Sequence, residues 1–198
     1  IVTRQVVYSG KEKIRIDIMF YTNGIPLVNI ECKDPTKPGS SWFDAYKQIK
    51  DYETTVPELY KYVQIGVAAE RKAKYFPIAP WQDKDSVRTS EWREEYPHPL
   101  PSREKGIDDQ IEMLRPERIL DIIKNFLFSR IEMGNATKVI TRYMQYRAAN
   151  KIYNRVKEFL ESMRSIESVE SIDSLDSQDS ITRRLKNRGL IWHWQGSG

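Results

Sequence analysis

The stretch NIECKDP, residues 29–35, places an acid and a base on a segment that otherwise has the apolar composition of a buried strand. Side chains of a strand alternate between its two faces, so Glu31 and Lys33 share one face. That face also carries Leu27 and Asn29, and the opposite face carries Val28, Ile30 and Cys32. One face has the composition of a core, and the other collects polar groups suited to a chemical task.

The preceding segment KIRIDIMFY, residues 13–21, alternates in the same way and leads into the turn sequence TNGIP. Its predicted core face consists of Ile14, Ile16, Ile18 and Phe20. A hairpin centred on Gly24 gives each apolar residue an apolar partner and sets Asp17 opposite Glu31. Its other pairs are Ile16–Cys32, Ile18–Ile30 and Phe20–Val28. Centring the turn between Asn23 and Gly24 would set Asp17 against Ile30, which the pattern disfavours.

Two carboxylates in this position repel each other, and one is driven neutral unless a cation lies between them. Mg²⁺ prefers oxygen ligands, uses one or two carboxylates and keeps several water molecules. We therefore predict a metal site formed by Asp17, Glu31 and the main-chain carbonyl of Cys32. Lys33 would hold a phosphate oxygen or orient the attacking water, which suits phosphodiester hydrolysis. The alternative is a surface hairpin with ordinary charges.

The segment SWFDAYKQIKDYET, residues 41–54, has the apolar periodicity of a helix that packs on a core. Gln48 and Tyr52 are four residues apart, so the pattern predicts that they share a face of this helix. Gln48 can bind a phosphate or a metal-bound water, and Tyr52 can orient a partner group. A plain polar helix face is the alternative interpretation of this pair.

Beyond residue 60 the patterns predict two strands, two helices and a final strand. The strands are YVQIGVAA (62–69) and AKYFPIA (73–79), and the helices span 115–128 and 138–163. Residues 164–180 repeat Ser and acidic residues, a low-complexity composition typical of a solvated linker. The final strand spans 189–194 and runs into Gly196, Ser197 and Gly198.

The composition bounds the class of protein. The chain has 198 residues, of which 39% are hydrophobic and 30% charged, and no apolar run approaches the length that spans a membrane. The single cysteine excludes an internal disulfide framework and favours a cytoplasmic location. A net charge of +4 favours nucleic acid as a partner only weakly. Both ends of the sequence have the character of a chain cut from a longer one.

Asp17, Glu31 and Lys33 resemble the motif of the PD-(D/E)xK nuclease core, with Ile16 where that motif often has proline. Gln48 and Tyr52 resemble the Q-x-x-x-Y motif that accompanies this core in some families. Together with RPERILDIIKNFLF, RYMQYRAANKI and GLIWHWQGSG, they resemble the restriction (motor) subunit of type I restriction-modification enzymes over essentially the whole chain. The resemblance implies an α/β fold with a mixed sheet flanked by helices, followed by helices that lead into a truncated RecA-like motor domain. The implied segments are a nuclease domain (1–130), a helical start of the motor (131–163), a linker or insertion (164–182), and a strand with the start of a P-loop (183–198).

The same resemblance implies roles for individual residues. Asp17, Glu31, Lys33, Gln48 and Tyr52 would cut double-stranded DNA with Mg²⁺ or Mn²⁺. In the full-length protein, ATP would be bound by Gln145 and by the P-loop that begins at Gly196, Ser197 and Gly198. Methylation and specificity subunits would be partners, and a membrane would not. The alternatives are the nuclease of a stand-alone or repair nuclease-helicase, and a catalytically silent DNA-binding or docking module. An acidic residue that this core often takes from a preceding helix is not identifiable here.

Overall fold

The computed structural model describes residues 1–94, 106–132 and 134–169. The chain forms two compact units, Ile1–Tyr143 and Met144–Gly198. A five-stranded sheet forms the centre of the first unit, in the spatial order β1-β2-β3-β4-β5. Its strands are β1 (Val2–Ser9), β2 (Lys13–Thr22), β3 (Ile25–Cys32), β4 (Ile65–Ala69) and β5 (Ala73–Pro77). Only β3 and β4 run parallel among neighbouring strands of this sheet. The prediction of a mixed sheet flanked by helices is confirmed.

The parallel pair requires a crossover, and helix α1 (Trp42–Thr55) supplies it together with the short α2 (Pro57–Tyr60). A capping box between Ser41 and Asp44 starts α1 where the sequence predicts a helix. The face of α1 that carries Tyr46 and Ile49 packs on the sheet. The core around it includes Ile14, Ile16, Met19, Leu59, Tyr60, Val63, Phe76 and Ile78.

The β2–β3 hairpin combines the predicted register with the one that the pattern disfavours. The chain reverses on Asn23 and Gly24, which both have positive φ, and next to this tight turn Thr22 pairs with Ile25. A bulge between Phe20 and Tyr21 then shifts the pairing by one residue. The predicted pairs Ile18–Ile30 and Phe20–Val28 are confirmed, although the turn is not centred on Gly24.

The predicted core face of β2 is wrong beyond Ile16. Ile14 and Ile16 are buried, but the next fully buried residue is Met19, and Ile18 and Phe20 are half-buried. The change occurs where β1 is distorted, because Gln5 has a φ of 54° between the regular pairs Val6–Ile16 and Arg4–Ile18. Strict alternation of faces therefore fails at Asp17, the residue opposite this distortion.

The later elements differ from the sequence prediction at their ends. Helices α3 (Gly106–Met113) and α4 (Pro116–Asn125) are followed by a hairpin of β6 (Leu127–Glu132) and β7 (Asn135–Ile140). The predicted helix 115–128 is therefore too long, and the predicted helix 138–163 starts too early. The reason is the turn at Gly134, whose φ of 81° lets the chain reverse, and the β-branched residues that follow it.

The second unit contains the rest of helix α5 (Tyr143–Val169), which enters the segment predicted as a linker. The predicted boundary after residue 130 falls within β6. The predicted strand 189–194 and most of the Ser/acidic segment lie outside the described residues. No helix within the described ranges is long and apolar enough to cross a membrane.

Candidate active site

Asp17 and Glu31 lie on adjacent strands just beyond the last regular pair, Ile18–Ile30. The main-chain N–H of Asp17 donates to Oε1 of Glu31 at 3.3 Å, and the N–H of Cys32 donates to Oδ2 of Asp17 at 2.9 Å. Carboxylate oxygens thus take the place of main-chain carbonyls at this end of the hairpin. The structure brings together the two acids that the sequence predicts as partners.

The carboxyl group of Glu31 is fully buried, on a strand covered by α1. Its pKa is raised to about 8, mainly by burial and then by the negative charge of Asp17. Its Oε2 atom is buried, and no donor reaches it from the part of the chain that the structure describes. A buried carboxyl oxygen without a partner is costly, so this position favours either a proton or a bound cation.

Lys33, Gln48 and Tyr52 form a continuous line of hydrogen bonds. The ammonium group of Lys33 donates to Oε1 of Gln48, and Nε2 of Gln48 donates to the hydroxyl of Tyr52. The Tyr52 hydroxyl donates in turn to the main-chain carbonyl of Arg15 on β2 at 3.1 Å. The line connects the end of β3, α1 and β2, and it includes Gln48 and Tyr52, which the sequence predicts on one face of the helix.

Burial is the largest cause that raises the pKa of Tyr52, and the charges of Glu31 and Asp17 add to it. The Tyr52 hydroxyl therefore keeps its proton at neutral pH and acts as a hydrogen-bond donor.

Directly after β3, the N–H of Lys33 donates to the carbonyl of Ala69 at 2.8 Å. The backbone of Lys33 is thereby fixed to β4 while its side chain reaches α1.

Gln5 is a site residue that the sequence analysis missed. Its Nε2 donates to Oδ1 of Asp17 at 3.0 Å from the edge strand β1. A φ of 54° is unfavourable for a residue other than glycine or asparagine, by roughly 1–2 kcal/mol. Nothing in the periodicity of VTRQVVYS distinguishes Gln5 from its neighbours, so no sequence pattern could have found it.

The residues present fit a magnesium or manganese ion of the kind that keeps much of its water. In the described ranges, no group of three or more His, Cys, Asp or Glu side chains could hold a metal. Two carboxylates and one carbonyl are nevertheless a common protein contribution to Mg²⁺. The N–H and C=O of a strand residue lie on the same edge, so the carbonyl of Cys32 lies on the edge where its N–H meets Asp17.

Among the predicted nucleotide-binding residues, Gln145 lies on α5 in the second unit, and Gly196, Ser197 and Gly198 lie outside the described residues. The thiol of Cys32 is free and exposed.

Comparison with known proteins places these features in a family context. Residues 1–85 match the family model described as type I restriction enzyme R protein N terminus. The chain is 33% identical over 98% of its length to the "Putative type I restriction enzyme MjaVIIIP endonuclease subunit" of Methanocaldococcus jannaschii. It is 30% identical over 92% of its length to the type I restriction enzyme HindI endonuclease subunit of Haemophilus influenzae. The chain spans 16% of the length of each of these relatives. No solved structure matches it.

Proposed function

This chain belongs to the family of type I restriction enzyme R proteins, and from that premise we propose that its first unit is a nuclease domain that cuts DNA with Mg²⁺ or Mn²⁺. The observation that carries the proposal is the pair of acids. Glu31 is fully buried beside Asp17, and no donor in the described ranges reaches one of its carboxyl oxygens. This arrangement is costly in a domain that only binds or docks.

Asp17, Glu31 and the carbonyl of Cys32 would hold the cation. When bound, such an ion polarises a phosphate oxygen and lowers the pKa of a bound water. The chain's own contribution is to keep the two carboxylates at a fixed separation. The hydrogen bonds from the N–H groups of Asp17 and Cys32 do this, because they connect each acid to the opposite strand.

Lys33 would place its positive charge beside the phosphate that is cut. Its ammonium group has three donors and uses one on Gln48, so others remain for a phosphate oxygen or for the attacking water. Gln48 and Tyr52 hold the ammonium group in position and anchor it to the carbonyl of Arg15. They are positioning residues in this proposal, and Lys33 is the group that touches the substrate.

The remaining parts of the proposal concern the full-length protein. ATP would be bound there, with Gln145 at the adenine and the P-loop starting at Gly196, Ser197 and Gly198. The natural substrate would be double-stranded DNA, and the partners would be the methylation and specificity subunits of a type I complex. The names of the relatives, which are endonuclease subunits of type I restriction enzymes, support the proposed action on DNA within a complex of several subunits.

The proposal is tested in the complete protein assembled with its partner subunits. Asp17→Asn, Glu31→Gln and Lys33→Met should each abolish DNA cleavage and leave ATP hydrolysis unchanged, because all three side chains belong to the nuclease site. Lys61→Met, on the exposed surface of the same unit, is the control and should cut normally. Cleavage at the wild-type rate by Asp17→Asn or Glu31→Gln would refute the nuclease assignment.

A further inference from the structure

We propose that Gln5 is a positioning residue that orients Asp17 for metal binding. The inference rests on the proposed function, since it assumes that Asp17 is a metal ligand. It adds a residue from β1, the edge strand, to a site otherwise built from β2, β3 and α1.

The backbone of Gln5 is the first argument. Gln5 has a φ of 54°, and glutamine has no short side chain with which to stabilise a left-handed backbone locally. The pairs on either side, Arg4–Ile18 and Val6–Ile16, belong to the regular ladder. The distortion is therefore confined to the one residue of β1 that lies opposite Asp17. Strained backbone at a single ordered position is typical of functional sites.

The hydrogen bonds of Asp17 are the second argument. Gln5 donates to Oδ1 and the N–H of Cys32 donates to Oδ2, so each oxygen has one donor and the plane of the carboxylate is fixed. Each carboxylate oxygen can accept more than one interaction, so both keep a lone pair for a cation. The neutral amide of Gln5 orients the acid without competing with the cation. The ammonium group of a lysine in the same place would compete with the cation.

The location of Gln5 is the third argument. The side chain is exposed, and a hydrogen bond between exposed groups adds little to folding, because water can replace it. A water molecule in place of the Gln5 amide would not hold the carboxylate of Asp17 in a fixed orientation. Loss of Gln5 should therefore weaken metal binding far more than folding. Partners that orient a metal ligand in this way commonly change metal affinity by 10- to 100-fold.

The test measures Mn²⁺ binding to this 198-residue chain by electron paramagnetic resonance, and its thermal unfolding in the absence of metal. We expect Gln5→Gly to weaken Mn²⁺ binding about tenfold or more and to keep or raise the melting temperature, because glycine removes the backbone strain. Gln5→Asn tolerates the same backbone, but its side chain is one methylene shorter, so it should bind Mn²⁺ nearly as weakly as the glycine variant. Val7→Thr, an exposed neutral change on the same strand, should bind Mn²⁺ as the wild type does.

The outcomes separate this inference from the proposed function. If the wild type binds Mn²⁺ and Asp17→Asn does not, but Gln5→Gly binds within twofold of the wild type, the role of Gln5 is refuted and the nuclease assignment stands. Lower melting temperatures of both Gln5 variants, without weaker Mn²⁺ binding, would also refute it. Such a result would show that Gln5 stabilises the fold and does not orient Asp17. If the wild type binds no Mn²⁺, or Asp17→Asn binds as well as the wild type, the metal site itself is wrong and the inference falls with it.

Discussion

The main-chain N–H of Asp17 donates to the carboxylate of Glu31 at 3.3 Å, so the two proposed metal ligands are connected through the backbone of one and the side chain of the other. A second bond runs back from the N–H of Cys32 to Asp17. Together they replace the main-chain pairing of β2 and β3 beyond Ile18 and Ile30. The separation of the acids is therefore set by the sheet before any ion binds.

The first prediction concerns the stability of the metal-free chain as a function of pH. Because the pKa of Glu31 is raised to about 8, the folded chain keeps this proton until about pH 8, whereas the unfolded chain releases it near the ordinary value of 4.5. The stabilisation is thus complete below about pH 4.5 and is lost as the pH rises through about 8. We expect Glu31→Gln to raise the free energy of unfolding by roughly 4–5 kcal/mol at pH 9 and by less than about 1 kcal/mol at pH 5.

Urea denaturation in the presence of a chelator measures this difference. Glu58→Gln, which removes an exposed carboxylate on α2, serves as the control. Its difference from the wild type should be the same at pH 5 and pH 9. A pH-independent effect of Glu31→Gln would mean that Glu31 is ionised in the folded chain at both pH values.

The second prediction concerns the line of hydrogen bonds from Lys33 to Arg15. Tyr52→Phe removes the hydroxyl that accepts from Gln48 and donates to the carbonyl of Arg15. Gln48 then loses its anchor, and Lys33 is held less precisely. We expect cleavage by the complete enzyme to fall by roughly 10- to 100-fold, because small misplacements of a positioned group have effects of this size. The affinity for Mn²⁺ should stay within twofold of the wild type.

Tyr62→Phe is the matched control for this change, since Tyr62 is exposed and lies outside the site. It should cut DNA at the wild-type rate. A Tyr52→Phe enzyme that loses Mn²⁺ affinity in proportion to its cleavage rate would show that Tyr52 acts through the metal ligands instead of through Lys33.

The third prediction concerns the buried ion pair on α1. Lys50 and Glu53 lie 2.5 Å apart with side chains that are only 6% and 2% exposed, and burial raises the pKa of Glu53 despite the nearby lysine. Lys50→Met leaves this acid buried without its partner, so we expect it to cost about 3 kcal/mol of folding free energy. Adding Glu53→Leu to this variant should recover most of the loss, since the double change removes both buried charges.

The pair Lys61–Glu58 has the same spacing in sequence and side chains that are 63% and 78% exposed, so it provides the control. Lys61→Met should leave the stability within experimental error of the wild type, because exposed ion pairs contribute little. Denaturant unfolding of these three variants and of the wild type measures all of these values. A Lys50→Met chain as stable as the wild type would show that Glu53 takes up a proton at no cost.

The fourth prediction concerns DNA binding by the 198-residue chain. A net charge of +4 provides few contacts with phosphates, so we expect weak binding that does not depend on the DNA sequence. Fluorescence anisotropy with two unrelated duplexes should give equal affinities that fall steeply between about 50 and 200 mM salt. Tight binding of one duplex that resists salt would contradict this expectation and would place sequence recognition within this chain.

The sequence alone was sufficient to predict those contacts of the site that follow from the alternation and spacing of residues. The alternation of β2 and β3 predicts that Asp17 meets Glu31, and the four-residue spacing predicts that Gln48 meets Tyr52. The full burial of Met19 was not predictable, because strict alternation places Ile18 and Phe20 on the core face in its stead. The β6–β7 hairpin was missed because its apolar residues also fit helical spacing, and only the conformation of Gly134 separates the two.

The left-handed residue in β1 also has a consequence for self-association. An edge strand offers unpaired N–H and C=O groups to any extended chain, and β1 adds exposed Val2 and Val7 to that edge. The break at Gln5 leaves an incoming strand only three or four regular residues on either side of it. A β-branched residue there, as in Gln5→Val, would favour a straight edge of eight residues, and sedimentation at rising concentration should then reveal dimers. We therefore expect the distortion next to Asp17 to disfavour the joining of two copies of the sheet edge to edge.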